Sequence, residues 1–157
     1  FKEELAKRDK GNKTYEAWYA WGRTQGRSAP GPKLLTKTFD ASPSFKLDKT
    51  DSLFCNGYAV MAPESFGLSG GGAKLSIKGL QKIINSRFMH YYTKVTSFQI
   101  SGDYQCYQKN FIQLFGVPIL NKEECKMIEK GSVAEVEMIL SEKYDIPLKH
   151  IDEYFDY

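Results

Sequence analysis

Two histidines and three cysteines are all that this 157-residue chain holds of the side chains that most often bind transition metals or act as nucleophiles. Cys55, Cys106 and Cys125 are odd in number, far apart, and form no Cys-x-x-Cys pair. A tetrahedral zinc site needs ligands at short spacings, so no metal is expected. The same scatter argues against a disulfide framework and for a reduced, cytoplasmic setting. Apolar runs are short as well. None approaches the roughly 18 residues of a spanning helix, and no membrane partner is expected. The chain opens on Phe1 rather than Met and is read as a fragment from which a leader could have been lost.

Two partial motifs fall short of their chemistry. Gly67-Leu68-Ser69-Gly70-Gly71-Gly72-Ala73-Lys74 lacks the order of a phosphate-binding loop, which places Lys directly after the last Gly and then Ser or Thr. Here Ala73 intervenes and Leu75 follows. His90, Cys106 and Asp103 contain the residue types of a base, a nucleophile and an orienting acid. However, His90 lies among apolar residues at helical spacing, and a Cys such as Cys106 is commonly a small buried hydrophobe. A glycine-rich dinucleotide turn is also missing.

Aromatic residues, by contrast, are plentiful. Ten Tyr and ten Phe, within a hydrophobic content of 41%, exclude a disordered chain and suffice for one core. The net charge of +3 conceals a division along the chain. Residues 1–50 carry 11 Lys/Arg against 6 Asp/Glu, and residues 51–120 carry 6 against 3. Residues 121–157 reverse this, with 5 against 10. A basic body suits a polyanionic partner, and an acidic tail would avoid the same partner.

The patterning predicts an α+β fold: a mixed-sheet body with one central amphipathic helix, followed by an acidic helical C-terminal segment. Residues 17–21 read as a strand entering a loop punctuated by Gly22, Gly26, Pro30, Gly31 and Pro32. Residues 33–39 and 44–47 read as short strands. Asn56-Gly57 between apolar pieces signals a tight turn or hairpin. Ile77, Leu80, Ile83, Ile84, Phe88, Tyr91 and Tyr92 recur at helical spacing behind a capping Ser76, with Asn85 and Ser86 ending or capping a turn. Residues 96–100 are β-rich and Ser101-Gly102-Asp103 is a turn. Beyond Pro118, Asn121 with Glu124 and Ser132 with Glu135 are capping-box pairs, and Pro147 suits the start of a third helix. The boundaries are set at 1–119 for the body and 120–157 for the helical segment.

Two polar clusters carry the functional reading. Arg23, Thr24, Gln25 and Arg27 lie in the glycine-rich loop beside Tyr19; guanidinium groups match phosphate or guanine edges, and a Gln amide matches adenine. Lys33 and Lys37 on the first strand are expected to hold phosphates as point charges. Thr96, Ser97, Gln99, Tyr104, Tyr107, Gln108 and Lys109 interleave hydroxyls and amides with aromatic rings, as a groove-facing segment would.

In order along the chain, "WYAWGRTQG", "PKLL", "NGYAV", "IINSRFMHYYTK", "TSFQISGDYQCYQKNF" and "VPI" resemble the C-terminal specificity domain of TaqI-like adenine-specific DNA methyltransferases. The resemblance covers roughly residues 15–119. It departs at Gly102-Asp103-Tyr104, where many relatives have a double Gly, and at Gln105-Cys106-Tyr107-Gln108, where relatives often carry more Arg. It implies a target-recognition domain of a bacterial restriction–modification enzyme that reads duplex DNA and is not itself an enzyme. S-adenosylmethionine would be bound by a separate methyltransferase catalytic domain of the parent protein, since the Asn-Pro-Pro-Tyr type motif is missing here. Three other readings stay open: a protein-interaction or scaffold module, a small Cys106-dependent hydrolase, and an RNA-binding domain.

Overall fold

A computed structural model describes residues 1–11, 15–20, 30–52, 54, 57–61 and 73–156. Its architecture is α+β, with two small antiparallel sheets and seven α-helices among the described residues. A short helix, α1 (Lys2–Ala6), opens the chain and is followed by a 3-10 turn at Arg8–Gly11. The first sheet joins β1 (Lys33–Lys37), β3 (Lys46–Asp48) and β4 (Gly57–Val60) in the order β3-β1-β4. Leu34 lies opposite both Leu47 and Val60, so one face of β1 is apolar across all three strands. The second sheet joins β2 (Phe39–Asp40), β5 (Gln99–Ile100) and β6 (Tyr104–Cys106) in the order β2-β6-β5.

The periodic stretch that begins at Ile77 is two helices rather than one. α2 (Ile77–Ile84) ends at Asn85, and α3 (Arg87–Thr96) restarts with Ser86 as its N-cap, whose hydroxyl accepts from the Met89 N–H. The break is fixed from outside. Asn85 Oδ1 accepts from the Phe45 N–H and its Nδ2 donates to the Phe45 carbonyl, both at about 2.8–2.9 Å. Gln81 Nε2 donates to the same carbonyl at 2.9 Å. Asn85 thus gives the backbone at Phe45 the paired bonds a neighbouring strand would give, so this buried segment has its polar groups satisfied without a ladder. Thr96, read as the start of a strand, is the last residue of α3. Residues 17–20, also read as strand, form a turn closed by Ala20 N–H to the Ala17 carbonyl at 3.0 Å.

The helical segment is α5 (Lys122–Lys130), α6 (Val133–Tyr144) and α7 (Leu148–Phe155), preceded by the short α4 (Lys109–Ile112). Both capping boxes are formed, Asn121 with Glu124 and Ser132 with Glu135. These helices share the core of the body: Leu34, Phe45, Ile83, Leu120, Ile128, Leu140 and Ile151 are all essentially buried in one continuous cluster. α2 and α5 cross closely at Gly79, where a Cβ would lie 2.5 Å from Leu75 Cδ1 and 3.3 Å from the Glu129 side chain.

Arg87 ties three helices together. Its Nε and Nη2 engage Glu137 of α6 at 2.6–3.1 Å, while Nη1 reaches Asp152 of α7 at 2.6 Å. Glu137 is buried, whereas the Arg87 and Asp152 side chains are 41% and 50% exposed. Arg87→Leu would strand the Glu137 charge in the interior, a loss of about 2–3 kcal/mol, below that of a fully enclosed pair because water reaches Arg87. Urea unfolding should show this as a lowered midpoint, with Asp152→Asn costing less than about 1 kcal/mol. Equal effects from the two substitutions would show that burial of Glu137 does not set the energy.

Candidate nucleic-acid interface

The polar residues singled out from the sequence fall into three groups. The first, Arg23, Thr24, Gln25 and Arg27, lies outside the described residues. Its neighbour Tyr19 is 72% exposed and packs edge-on against Trp18, ring centres 5.5 Å apart.

The second group is taken up by the fold, and two expectations are corrected. Lys33 was expected on the surface, but it is fully buried. Its Nζ lies 3.0 Å from Asp48 Oδ2 and donates to the Thr50 carbonyl at 2.8 Å and the Gly31 carbonyl at 3.4 Å. An ammonium enclosed and tied in this way is a strand-end brace, not a phosphate contact. Tyr107 is also fully buried, with its ring edge-on to Phe45 at 6.1 Å. Burial, and then the charge of Asp40, push its phenol above the ordinary 10.0. Its place is in the core. Strand alternation would not have revealed this: Tyr104 is exposed on β6, but Gln105, Cys106 and Tyr107 are buried in succession as the chain turns into the core.

The third group is assembled on one hairpin. α3 ends in Thr96, whose hydroxyl donates to the Tyr92 carbonyl at 2.7 Å, and Ser97 is its half-buried C-cap. β5 and β6 then pair around the turn Ser101-Gly102-Asp103, with Gln99 opposite Gln105 and Ile100 opposite Tyr104. Gly102 and Asp103 both take positive φ, 79° and 62°, which Gly and Asp adopt more readily than other residues. Gln99 Nε2 donates to Asp103 Oδ1 at 2.5 Å, and the Gln105 amide reaches the Asp103 carbonyl at 3.4 Å. The turn is therefore tied from both strands. Gln108 caps α4 by position only, without a side-chain bond, and Lys109 is exposed on its first turn.

Two residues not singled out in the sequence, Phe98 and Ile100, also belong to this hairpin. Phe98 is 48% exposed, Ile100 38% and Tyr104, its recognised neighbour, 43%. Phe98 is backed by Phe39 and Phe111, ring centres 6.3 and 5.8 Å away. Asp103 supplies the carboxylate that fixes the turn. The alternation Phe98-Gln99-Ile100 was the available signal, but it reads equally as a strand with a buried face.

Charge is distributed unevenly between pairs and free groups. The acidic helices use their carboxylates internally: Glu137 and Asp152 on Arg87, Glu124 on Lys143 at 2.9 Å, Glu153 on Lys149 at 3.6 Å, and Glu129 on the Ser76 N–H at 3.2 Å. In the body, Lys37 pairs with Asp40 at 3.2 Å, but Lys46, Lys49 and Lys109 are exposed with no carboxylate partner among the described residues. A cleft of about 480 Å³ lies where Asn85 and Ser86 face Gly131 and Val133. Of its cations, Lys82 donates to the Gly131 carbonyl at 2.6 Å and Arg87 is bound to Glu137.

No family model matches the chain, and no curated protein matches it. Among the described residues, no helix is long and apolar enough to cross a membrane, and no group of three or more His, Cys, Asp or Glu is placed to hold a metal ion.

The Lys33–Asp48 brace has a pH signature. Thr50 donates both its hydroxyl and its backbone N–H to Asp48, at 2.7 and 2.9 Å, and with Lys33 holds the carboxyl down at about 2 against an ordinary 3.8. A carboxyl with a depressed folded pKa stabilises above its unfolded value, and the stabilisation disappears as pH falls through the folded one. Urea midpoints should therefore drop between pH 4 and pH 2, and Asp48→Asn should flatten that part of the profile. A profile unchanged by the substitution would remove the carboxylate from the acid transition.

Proposed function

We propose that this chain is a sequence-specific duplex DNA recognition domain serving an adenine-N6 DNA methyltransferase, with or without an associated endonuclease, in a restriction–modification enzyme. The observation that carries this reading is the hairpin at residues 96–109. The longest of the motifs that resemble TaqI-like specificity domains lies there, and its exposed residues Gln99, Tyr104 and Lys109 offer amide, phenol and ammonium groups. Gln99 and Lys109 have the chemistry of base-edge and phosphate contact respectively.

The distribution of charge supports the same reading. Exposed lysines without carboxylate partners lie in the body, and the helical segment keeps an excess of carboxylates, four of which are in ion pairs. A phosphate backbone approaching the body would meet cations and release counterions, while the helical segment would stay out of contact. Register would come from Lys46, Lys49 and Lys109, with Arg23 and Arg27, outside the described residues, contributing as well. Lys33 has no part in this, being occupied inside.

On this reading the chain binds neither S-adenosylmethionine nor a metal, and it does no chemistry alone. A catalytic domain of the parent protein would extrude the target adenine and methylate it. The setting would be the cytoplasm of a bacterium.

Fluorescence anisotropy with a mixed-sequence duplex tests the proposal. Affinity should fall log-linearly with salt, and the double charge reversal Lys46→Glu, Lys49→Glu should weaken binding about tenfold and reduce the slope by roughly two contacts. Lys33→Met should leave the slope unchanged. No binding at low salt, or equal preference for an RNA duplex, would overturn it.

A further inference from the structure

Both histidines of the chain lie in one seam between α3 and α7, one on each helix. Five rings run through that seam in series. His150 meets Tyr91 with ring centres 5.4 Å apart, Tyr91 meets Tyr154 at 4.8 Å, Tyr154 meets Phe155 at 5.3 Å, and Phe155 meets His90 at 4.7 Å. The two imidazoles are held differently. His150 is exposed, and its Nε2 lies 3.1 Å from the Tyr91 hydroxyl. A hydroxyl both donates and accepts, so that bond survives either protonation state. His90 is half-buried and hydrogen-bonded to the backbone at Ala41, while its Nε2 is enclosed with no hydrogen-bond partner among the described residues. A second proton on His90 would arrive where nothing accepts it.

The charged groups around His90 do not offer it a counter-ion. On its own helix, Lys94 stands one turn on with its ammonium 6.0 Å from the centre of the same Phe155 ring, and Arg87, one turn back, is bound to Glu137 of α6 and Asp152 of α7. On the rest of α7, Lys149 pairs with Glu153 at the surface and Asp156 is exposed. Beside Ala41, Asp40 is engaged by Lys37 and Ser44, and past β6 the phenol of Tyr107 is pushed up and stays neutral. Burial first, and then Lys94, hold the His90 imidazole below its ordinary 6.5.

α7 is also poorly equipped to stay helical by itself. Pro147 at its N-cap makes no side-chain bond, its first turn has no acidic residue and its last turn no basic one. Asp152, Glu153 and Asp156 instead crowd the negative end of the helix dipole. Ile151 is its one buried residue, so its stability comes from docking.

We infer that α7 is a pH-dependent latch on α3, docked while His90 is neutral and released when His90 is protonated, with the other helices staying folded. Release would take Asp152 from Arg87 and uncover Tyr91 and Ile151. The device is independent of what the chain binds. An imidazole with a depressed docked pKa takes its proton more readily in the open state. Docking therefore weakens as pH falls below 6.5, by at most about tenfold per pH unit, and levels off below the docked pKa. Carboxylates titrate lower, so the window from pH 7.5 to 5.5 isolates the imidazole.

Hydrogen exchange of the whole chain across that window, corrected for the intrinsic pH dependence of amide exchange, tests the latch. Protection of the α7 amides should fall at least about threefold between pH 7.5 and 5.5, while α2 and α5 keep theirs. His90→Phe, which leaves a ring against Phe155, should make α7 protection independent of pH, and His90→Gln supplies a second neutral side chain should that ring not fit. Lys94→Gln should shrink the loss, and His150→Gln should leave it unchanged. Constant α7 protection in the wild-type protein, or a loss that survives both His90 substitutions, would overturn the latch. So would a loss shared in equal proportion by α2 and α5, which would mean that the whole fold opens.

Discussion

The guanidinium of Arg87 is the point on which the arrangement of helices depends. It is the first residue of α3, yet its partners lie 50 and 65 residues further on, at Glu137 and Asp152. One side chain therefore sets where α6 and α7 sit against α3. The bidentate contact with Glu137 carries geometry as well as charge, because two parallel bonds fix the plane of the fork. Beneath it, Ile83, Phe88, Val136, Leu140 and Ile151 provide the apolar contact that makes the burial of Glu137 tolerable. The ion cluster contributes position; the core contributes most of the stability.

A second long-range device determines how the sheets meet the helices. The amide of Asn85 grips both backbone groups of Phe45, so the strand connection beside β3 is registered against the α2–α3 break. Asp would lose the donor and Gln would place the amide too far out. That same break lets α3 leave in a new direction and deliver its last residues to the β5–β6 hairpin. The β5–β6 hairpin thus follows a helix whose start is set by the half-buried Asn85, while its turn depends on its own Gly102 and Asp103.

Legibility in the sequence followed the range of the interaction. Local signals were read well: both capping boxes, the Ser76 cap, the Ser101-Gly102-Asp103 turn and the strands at Lys33 and Lys46. Misreadings arose where a distant residue decides. Lys33 looks like a surface lysine until Asp48 and the Thr50 carbonyl enclose it. The apolar period from Ile77 to Tyr92 reads as one helix, and although Asn85 and Ser86 are legible as ending or capping a turn, the bonds to Phe45 that fix a full break there are not. For the candidate site, the polar segment at 96–109 was recognisable, but its division into exposed Gln99 and Tyr104 and buried Tyr107 depends on which strand edge is covered. Nothing local to Ile100 marks it as exposed.

The order in which parts of the chain can acquire structure follows from where Arg87 sits. A cation on the first turn of a helix opposes the positive end of the helix dipole, so α3 alone starts with an unfavourable charge. α5 and α6, by contrast, carry acidic residues and reciprocal caps on their first turns, all supplied within four residues. α3 has its Ser86 cap locally but finds its counter-charges only on α6 and α7. As the chain leaves the ribosome, α3 lacks its counter-charges until α6 and α7 have emerged behind it. Truncating the acidic helices would therefore leave Arg87 without its counter-charges at the start of the helix that leads into the hairpin.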